Sequence, residues 1–191
     1  ISDPAVIEKT VSRKAQCLYL AGKYDEVIQT LTPVLQEEEK LDYREELQFI
    51  LADSLFRKMR ETTDGEGQKE LASRAKPLLL VLYKTPYQDK VLLPLAEIHR
   101  ELKEPKDAAP LYLMLADKMP LQKEELLLQA AALQLEFDPL LAISTFQQVV
   151  DLGGSKAGEA ACQEFHLLFQ NDRFSDLVSR APKIEMNLSD E

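Results

Sequence analysis

Residues 125–154, ELLLQAAALQLEFDPLLAISTFQQVVDLGG, decide the fold of this chain. On both sides of Asp138-Pro139 the apolar residues recur every three to four positions, which is the periodicity of an amphipathic helix. An aspartate followed by proline is a favoured helix start, because the carboxylate accepts backbone N–H groups and proline has no N–H to satisfy. Small residues lie on the two faces that would meet, where they allow the helices to approach closely. The stretch therefore predicts a helical hairpin with Ala130, Ala131 and Ala142 on these faces.

The composition of the whole chain is that of an all-α protein. Its 191 residues are 45% hydrophobic, which is enough to bury a core, and only six of them are glycine. No run alternates between apolar and polar residues for long enough to predict a strand. No window of about 18 uncharged apolar residues occurs, and the start lacks the pattern of a secretory signal. We therefore expect one all-α folding unit without a transmembrane segment.

The charge of the chain narrows the choice of partners. Its formal net charge of −10 argues against nucleic acid and anionic membranes, because a phosphate-binding protein needs a basic surface. Two interpretations of the acidity remain, a solvated surface that keeps the protein soluble and a surface for a basic partner. Neither involves nucleic acid, and we expect no nucleic-acid partner.

The two cysteines, Cys17 and Cys162, fall in separate helical segments near opposite ends of the chain. Several intervening helices, each about 8–10 Å from its neighbour, would keep them beyond the roughly 7 Å between Cα atoms that a disulfide allows. We therefore expect two unpaired thiols in the core, which favours a reducing, cytoplasmic compartment. The chain begins at Ile1 and not at methionine, so we expect a processed or excised chain, and a periplasmic location stays open.

Two segments interrupt the helical pattern. Residues 60–69, RETTDGEGQK, are polar and contain two glycines, and we predict an inserted, mobile loop there, either a tolerated insertion or a partner-binding element. Residues 183–191 lack periodicity and are predicted to be a disordered tail. The helical domain is thus predicted to extend over residues 1–182.

The predicted hairpins repeat along the chain. Aligned on one position of each first helix, they give Ala15, Ala52, Ala96, Ala130 and, matching less well, Phe165. Aligned on one position of each second helix, they give Val27, Ala75, Ala108, Ala142 and Leu177. From Ala75 onward the second-helix positions are separated by 33, 34 and 35 residues. A helix–turn–helix unit with a period of about 34 residues is typical of the tetratricopeptide repeat.

At these positions the chain resembles the tetratricopeptide repeat family, over roughly residues 6–181. The matching residues are Ala15, Leu18, Gly22, Tyr24, Val27 and Leu31 in the first pair, Leu92, Leu95, Ala96, Ala108, Tyr112 and Pro120 in the third, and Leu126, Ala130, Leu133, Ala142 and Phe146 in the fourth. Aliphatic residues stand at the family's tryptophan position, and the second pair has about eleven extra residues between its anchors. The resemblance implies a right-handed α-solenoid of about five antiparallel helix pairs. Another helical repeat and a globular helical bundle are the alternatives.

The sequence contains no motif for catalysis or for metal binding. His99 and His166 lie in different repeats, without cysteine, aspartate or glutamate at metal-ligand spacing. No Gly-rich phosphate loop, nucleophile elbow or HExxH motif occurs. Adjacent carboxylates such as those of Glu124 and Glu125 point to different sides of a helix. We therefore expect no catalytic, cofactor-binding or metal-binding residues, and a protein that is not an enzyme.

The resemblance implies a binding groove. In the family, the first helix of each repeat lines a concave surface, and the matching positions here mix aromatic, aliphatic and charged side chains, which suits a peptide or an amphipathic helix. The candidate groove residues are Tyr19, Phe49, Phe56, Arg57, Leu93, Arg100, Leu127, Gln134 and Phe169. The groove positions that the resemblance supplies also include Gln16, Glu46, Asp53, Lys90 and Glu97. Ser12 and Gln16 stand where some family members have the side chains that clamp a C-terminal carboxylate. Any single aromatic residue of the set could instead belong to the core.

Three functional hypotheses remain open. One is a non-catalytic scaffold or adaptor that holds a peptide or helix of a partner protein in the groove. Another is a structural or oligomerising module of a bacterial envelope-assembly or secretion-chaperone protein, which includes a homo-oligomer. A third is the regulation of an attached enzymatic domain. The repeat, together with the lack of catalytic motifs, favours the scaffold.

Overall fold

The structure is a computed structural model that describes residues 4–37 and 41–188, with side chains for residues 8–37 and 41–185. Within these ranges the chain forms ten α-helices, one 3-10 turn and no strand. The helices are α1 (Pro4–Leu20), α2 (Tyr24–Glu37), α3 (Arg44–Glu61), α4 (Gly65–Leu82), α5 (Gln88–Glu101), α6 (Pro105–Lys118), α7 (Lys123–Leu135), α8 (Pro139–Leu152), α9 (Ala157–Gln170) and α10 (Phe174–Leu188). None of these helices is both long and apolar enough to cross a membrane. The prediction of an all-α protein is confirmed.

The chain divides into two compact units between α5 and α6. Unit 1 covers Ile1–Lys103 and contains α1 to α5, and unit 2 covers Glu104–Glu191 and contains α6 to α10. The sequence predicted one repeat domain over residues 1–182, and the boundary between the units falls inside its third helix pair. Each unit has its own set of buried apolar side chains.

In unit 1 each helix packs against the next one along the chain, and α3 also contacts both α1 and α5. Gly22 lets the chain reverse between α1 and α2, because its φ of 71° is a left-handed conformation that glycine adopts without strain. The predicted small and apolar repeat positions are fully buried, namely Ala15, Val27, Ala52, Ala75 and Ala96. The result is that α1, α3 and α5 are neighbours on one side of the unit.

Unit 2 follows the same consecutive packing from α6 to α10. In the hairpin of α7 and α8, Ala130 and Ala142 are fully buried and Phe146 lies in the same core. Asp138 starts α8 by accepting the backbone N–H groups of Leu140 at 3.1 Å and Leu141 at 3.2 Å. The hairpin predicted for residues 125–154 is therefore confirmed, together with the helical-repeat organisation.

The last helix pair keeps the 34-residue spacing but changes the residue types. Glu164 follows Ala130 by 34 positions, and Arg180 follows Phe146 by the same number. Glu164 is fully buried and forms an ion pair with Arg180. Phe165, which the repeat pattern aligned with the small residues, is nearly half exposed, so that alignment was one residue out of register.

The two predicted interruptions of the helical pattern are more helical than expected. α3 continues to Glu61 and α4 begins at Gly65, so only residues 62–64 separate them. Asp64 caps α4 by accepting the N–H of Gly67 at 2.9 Å, which is how this glycine-containing segment starts a helix. α10 continues to Leu188 and buries Ile184, whereas residues 189–191 of the predicted tail lie outside the described residues.

The two cysteines are free, as predicted, but both are exposed and neither belongs to the core. A helix turns by about 100° per residue, so Cys17 lies about 200° away from the buried Ala15 on α1. On α9, Cys162 lies outside the buried stripe that runs through Ala161, Glu164 and Leu168.

Candidate functional site

Unit 1 carries a row of polar and aromatic side chains that interact with one another across α1, α3 and α5. We call this row the α1–α3–α5 face. Its members are Gln16 and Tyr19 from α1, Glu46, Phe49, Asp53, Arg57 and Arg60 from α3, and Tyr87, Lys90 and Glu97 at or in α5. Gln16 Nε2 donates a hydrogen bond of 2.7 Å to Glu46 Oε1, which joins α1 to the start of α3.

The centre of the face is a cluster around the carboxylate of Asp53. Tyr19 Oη and Arg57 Nε both donate to Asp53 Oδ2, each at 2.5 Å. The pKa of Tyr19 is raised to about 12, first by burial and next by the hydrogen bond to Asp53. Tyr19 therefore stays a neutral donor at physiological pH, and the cluster holds α1 and α3 in a fixed relation.

Arg57 completes this cluster on its outer side. Its Cζ lies 5.7 Å from the centre of the Tyr19 ring and 5.8 Å from that of Tyr24, which is cation–π range. The Tyr19 and Tyr24 rings meet edge to face, with their centroids 6.2 Å apart. The hydrogen bond to Asp53 is the largest of the contributions that raise the pKa of Arg57. The guanidinium of Arg57 is therefore always charged. The central cluster thus carries a guanidinium within reach of two aromatic rings.

A second cluster joins α3 to the start of α5. The Phe49 and Tyr87 rings pack with centroids 5.1 Å apart. Lys90 Nζ lies 5.6 Å from the centre of the Phe49 ring and 5.2 Å from that of Tyr87. Burial, followed by the nearby Glu46 and Glu45, raises the pKa of Tyr87. This cluster again places a cation above two aromatic rings.

A third cation lies further along α3. Arg60 Cζ is 5.9 Å from the centre of the Phe56 ring, and Arg60 Nε is 3.8 Å from Glu97 Oε2 on α5. The carboxylates of the face are therefore each engaged, Glu46 by Gln16, Asp53 by Tyr19 and Arg57, and Glu97 by Arg60. The face therefore offers cations and rings to another molecule, together with the carboxylate of Glu46, which Gln16 binds without neutralising its charge.

The structure separates the predicted groove residues into surface and core. Tyr19, Phe49 and Arg57 belong to the α1–α3–α5 face. On α5, Leu93 is partly buried and Arg100 is exposed. Phe56 and, in unit 2, Leu127 and Gln134 are buried, and Gln134 accepts a hydrogen bond of 2.6 Å from Thr145. We leave these three residues out of the proposed binding surface, because their side chains fill the cores of their own units.

Unit 2 has an exposed apolar patch on its last helix pair. The patch consists of Phe165 and Phe169 on α9 and of Phe174 and Val178 on α10, all at least 47% exposed. The Phe169 and Phe174 rings pack edge to face, with centroids 5.9 Å apart. Of the predicted groove residues, Phe169 is thus the one that unit 2 presents to solvent.

Three members of the face and its clusters were missed by the sequence reasoning, namely Tyr24, Arg60 and Tyr87. Arg60 lies one helical turn beyond Phe56 and Arg57, so helical periodicity could have found it. Tyr24 and Tyr87 stand at helix starts, outside the first-helix positions that the repeat resemblance supplies. The sequence carries no signal that these two rings turn towards α3.

Comparisons with known proteins give little beyond the fold. No protein-family model matches the chain, and no curated protein matches it significantly. Among the solved structures that match is a protein of Podosopora anserina described as a kinesin light chain with nearly identical TPR-like repeats. The two share 12% sequence identity and superpose with a TM-score of 0.46, over 100% of this chain and 98% of the other. A likeness at this level does not transfer the partners or the role of that protein.

Proposed function

We propose that this protein is a non-catalytic scaffold that holds a peptide segment of a partner protein against the α1–α3–α5 face. The observation that carries the proposal is the continuous row of cations and aromatic rings that crosses three helices of unit 1. Aromatic and arginine side chains are the residue types that most often dominate the binding energy at protein interfaces.

The order of this face also supports the proposal. Tyr19, Arg57 and Asp53 hold one another by hydrogen bonds, and Phe49, Tyr87 and Lys90 pack together. Side chains that are already ordered lose little conformational freedom when a partner binds, so more of the contact energy appears as affinity. A helix scaffold is a suitable support, because it fixes these groups on rigid elements and not on loops.

Selection from a phage-displayed random peptide library tests this function, because it samples many peptide sequences and does not require the natural partner. A selected peptide is expected to lose most of its affinity for a variant with Phe49→Ala and Tyr87→Ala. Leu80→Ala and Val81→Ala together provide the matched control, because both side chains are exposed on α4, away from the face. Equal binding to the wild type and to the Phe49→Ala, Tyr87→Ala variant would contradict the assignment of the face.

A second candidate function is assembly of the protein with a second copy of itself through the apolar patch of unit 2. Exposed apolar side chains that cluster on one surface are typical of interaction sites. Light scattering coupled to gel filtration tests this candidate by comparing the wild type with Phe169→Asp. A dimer mass that the substitution reduces to the monomer mass supports self-assembly, and a monomer mass for both proteins over a range of concentrations contradicts it.

A further inference from the structure

We infer that the α1–α3–α5 face selects an acidic peptide, whose aspartate and glutamate side chains meet Arg57, Arg60 and Lys90. This inference rests on the proposed function and specifies the chemistry of the partner. The occupant is one linear segment of a partner protein that is rich in carboxylates.

The positive and negative charges of this face lie at different depths. The side chain of Arg57 is 49% exposed and that of its partner Asp53 only 12%, and the side chain of Arg60 is 62% exposed and that of Glu97 only 17%. In both ion pairs the cation projects towards solvent and the carboxylate is recessed below it. A molecule that approaches the face at these two ion pairs therefore meets positive charge first.

In three other ion pairs of unit 1 the carboxylate is the more exposed partner, whereas in a fourth, Lys23–Glu26, the two side chains are about equally exposed, at 56% and 53%. Asp25 is more exposed than Lys58, Glu66 is more exposed than Lys69, and Glu70 is more exposed than Arg74, with 86% against 46% for the Glu66–Lys69 pair. These pairs involve α2 and α4 and follow the acidic character of the whole chain, with its net charge of −10. Among the described ion pairs of unit 1, those in which the cation stands well above its carboxylate thus lie on the α1–α3–α5 face.

Lys90 is a third exposed cation of the face. Its ammonium group contacts the Phe49 and Tyr87 rings, whose faces attract a cation without neutralising it. An ammonium above two rings keeps its full charge and can donate to a carboxylate from the side away from the rings. The rings below it would pack against an apolar side chain next to that carboxylate in the peptide.

The dimensions of the face suit an extended peptide. Neighbouring packed helices are about 8–10 Å apart, so three helices side by side span roughly 20 Å. An extended chain covers about 3.3 Å per residue, so about six residues reach across the face. A long nucleic acid would present phosphates to the rest of this acidic chain as well, which the net charge of −10 opposes.

The experiment uses three fluorescein-labelled peptides of about ten residues that share the same leucine and serine positions. Their remaining positions are all glutamate, all glutamine or all lysine, and a single-stranded oligonucleotide of similar length is a fourth probe. Fluorescence anisotropy is expected to show binding of the glutamate peptide on the order of tenfold tighter than that of the glutamine peptide, because three exposed charge pairs are formed. The lysine peptide should not bind, and added salt should weaken the binding of the glutamate peptide.

Charge reversal locates the effect. Arg60→Glu with Lys90→Glu is expected to remove binding of the glutamate peptide, whereas Lys69→Glu with Arg74→Glu, which makes the same change in charge on α4, should leave it intact. Circular dichroism and thermal melting of both variants check that each one is folded.

Three results would overturn the inference. Equal affinity for the glutamate and glutamine peptides would show that the face has no preference for acidic peptides. The proposed function would still be supported if Phe49→Ala weakens the binding of both peptides. No binding of the glutamate peptide also overturns the inference, while the library selection decides independently whether the face binds peptides. Binding of the oligonucleotide as tightly as the glutamate peptide identifies phosphate as the ligand chemistry.

Discussion

Arg180 binds the fully buried carboxylate of Glu164 with two hydrogen bonds, from Nε to Oε1 at 2.7 Å and from Nη2 to Oε2 at 3.2 Å. One repeat earlier, the same two positions hold Phe146 and Ala130, which are buried as an apolar pair. The last helix pair therefore replaces a large and a small apolar residue by a large cation and a carboxylate. Arg180 Nη1 also donates to Asp151 at 2.8 Å, so the ion pair ties α10 to both α8 and α9.

Arg180→Leu is expected to destabilise unit 2 by about 3 kcal/mol, because it leaves the Glu164 carboxylate buried without a counter-charge. The double variant Glu164→Ala, Arg180→Phe copies the Ala130–Phe146 pair and should regain most of that loss, since an apolar pair often replaces a buried ion pair without cost. Urea unfolding followed by circular dichroism measures both changes. A double variant that is no more stable than Arg180→Leu would show that the two repeats do not share a packing arrangement.

Asp151 makes the stability of unit 2 depend on pH. Lys183 and Arg180 both donate to its carboxylate at 2.8 Å, and these bonds, that of Lys183 first, lower the pKa of Asp151. A carboxylate whose pKa is lower in the folded state stabilises the fold above the unfolded pKa of about 4, and this contribution disappears as the pH falls through the folded-state pKa. We therefore expect Asp151→Asn to lower the free energy of unfolding at neutral pH and to have a smaller effect in acid.

The measurement for Asp151 is a pair of urea titrations, at a pH of about 7 and at a pH of about 3. Asp117→Asn is the control, because Asp117 lies on α6 of the same unit with a largely exposed side chain. A difference between the wild type and Asp151→Asn that stays the same at both pH values would contradict the assignment.

The phenol of Tyr19 makes the stability of unit 1 depend on pH as well. Burial and the bond to Asp53 raise the pKa of Tyr19 to about 12, so folding favours the neutral phenol. The resulting contribution to stability is fully present below the ordinary pKa of about 10 and is lost as the pH rises to about 12. In Asp53→Asn the pKa of Tyr19 should fall towards 10 without reaching it, since burial is the larger cause. Carbon NMR of ring-labelled tyrosine, assigned with Tyr19→Phe, measures the titration. A pKa near 10 in the wild type would exclude the described cluster.

Substitution of Ala130 tests the packing of the α7–α8 hairpin. It is fully buried, so Ala130→Leu adds volume to a filled core and should cost on the order of 1–3 kcal/mol. Ala132→Leu adds the same atoms to an exposed position of the same helix and should have little effect. If thermal melting gives the same midpoint for Ala130→Leu as for the wild type, Ala130 does not lie at a helix crossing.

Helical periodicity predicted much of this architecture. The Asp138-Pro139 start of α8 and the buried alanines at 130 and 142 are local features, which sequence records directly. The spacing of apolar residues also predicts helices over residues 106–118 and 156–170, and these agree with α6 and α9 to within one residue at either end. The sequence did not predict the helix start within residues 60–69, because Asp64 caps a helix that two glycines would otherwise discourage.

The candidate site could be predicted only in part. Tyr19, Phe49 and Arg57 lie at first-helix positions, so the repeat pattern finds them. Leu127 and Gln134 occupy equivalent positions, and yet they are buried, because exposure depends on how neighbouring helices cover each position and not on the register alone. The order of charges within an ion pair, with Arg57 above Asp53, is likewise a property of three dimensions.

The central claim is that the α1–α3–α5 face binds a partner peptide. Chemical-shift mapping by NMR, with the labelled protein and a peptide selected from the library, tests it most directly. We expect the largest shift changes at Tyr19, Phe49 and Lys90 and on the helices that carry them. Changes confined to α2 and α4, or to the Phe169–Phe174 patch of unit 2, would contradict the claim.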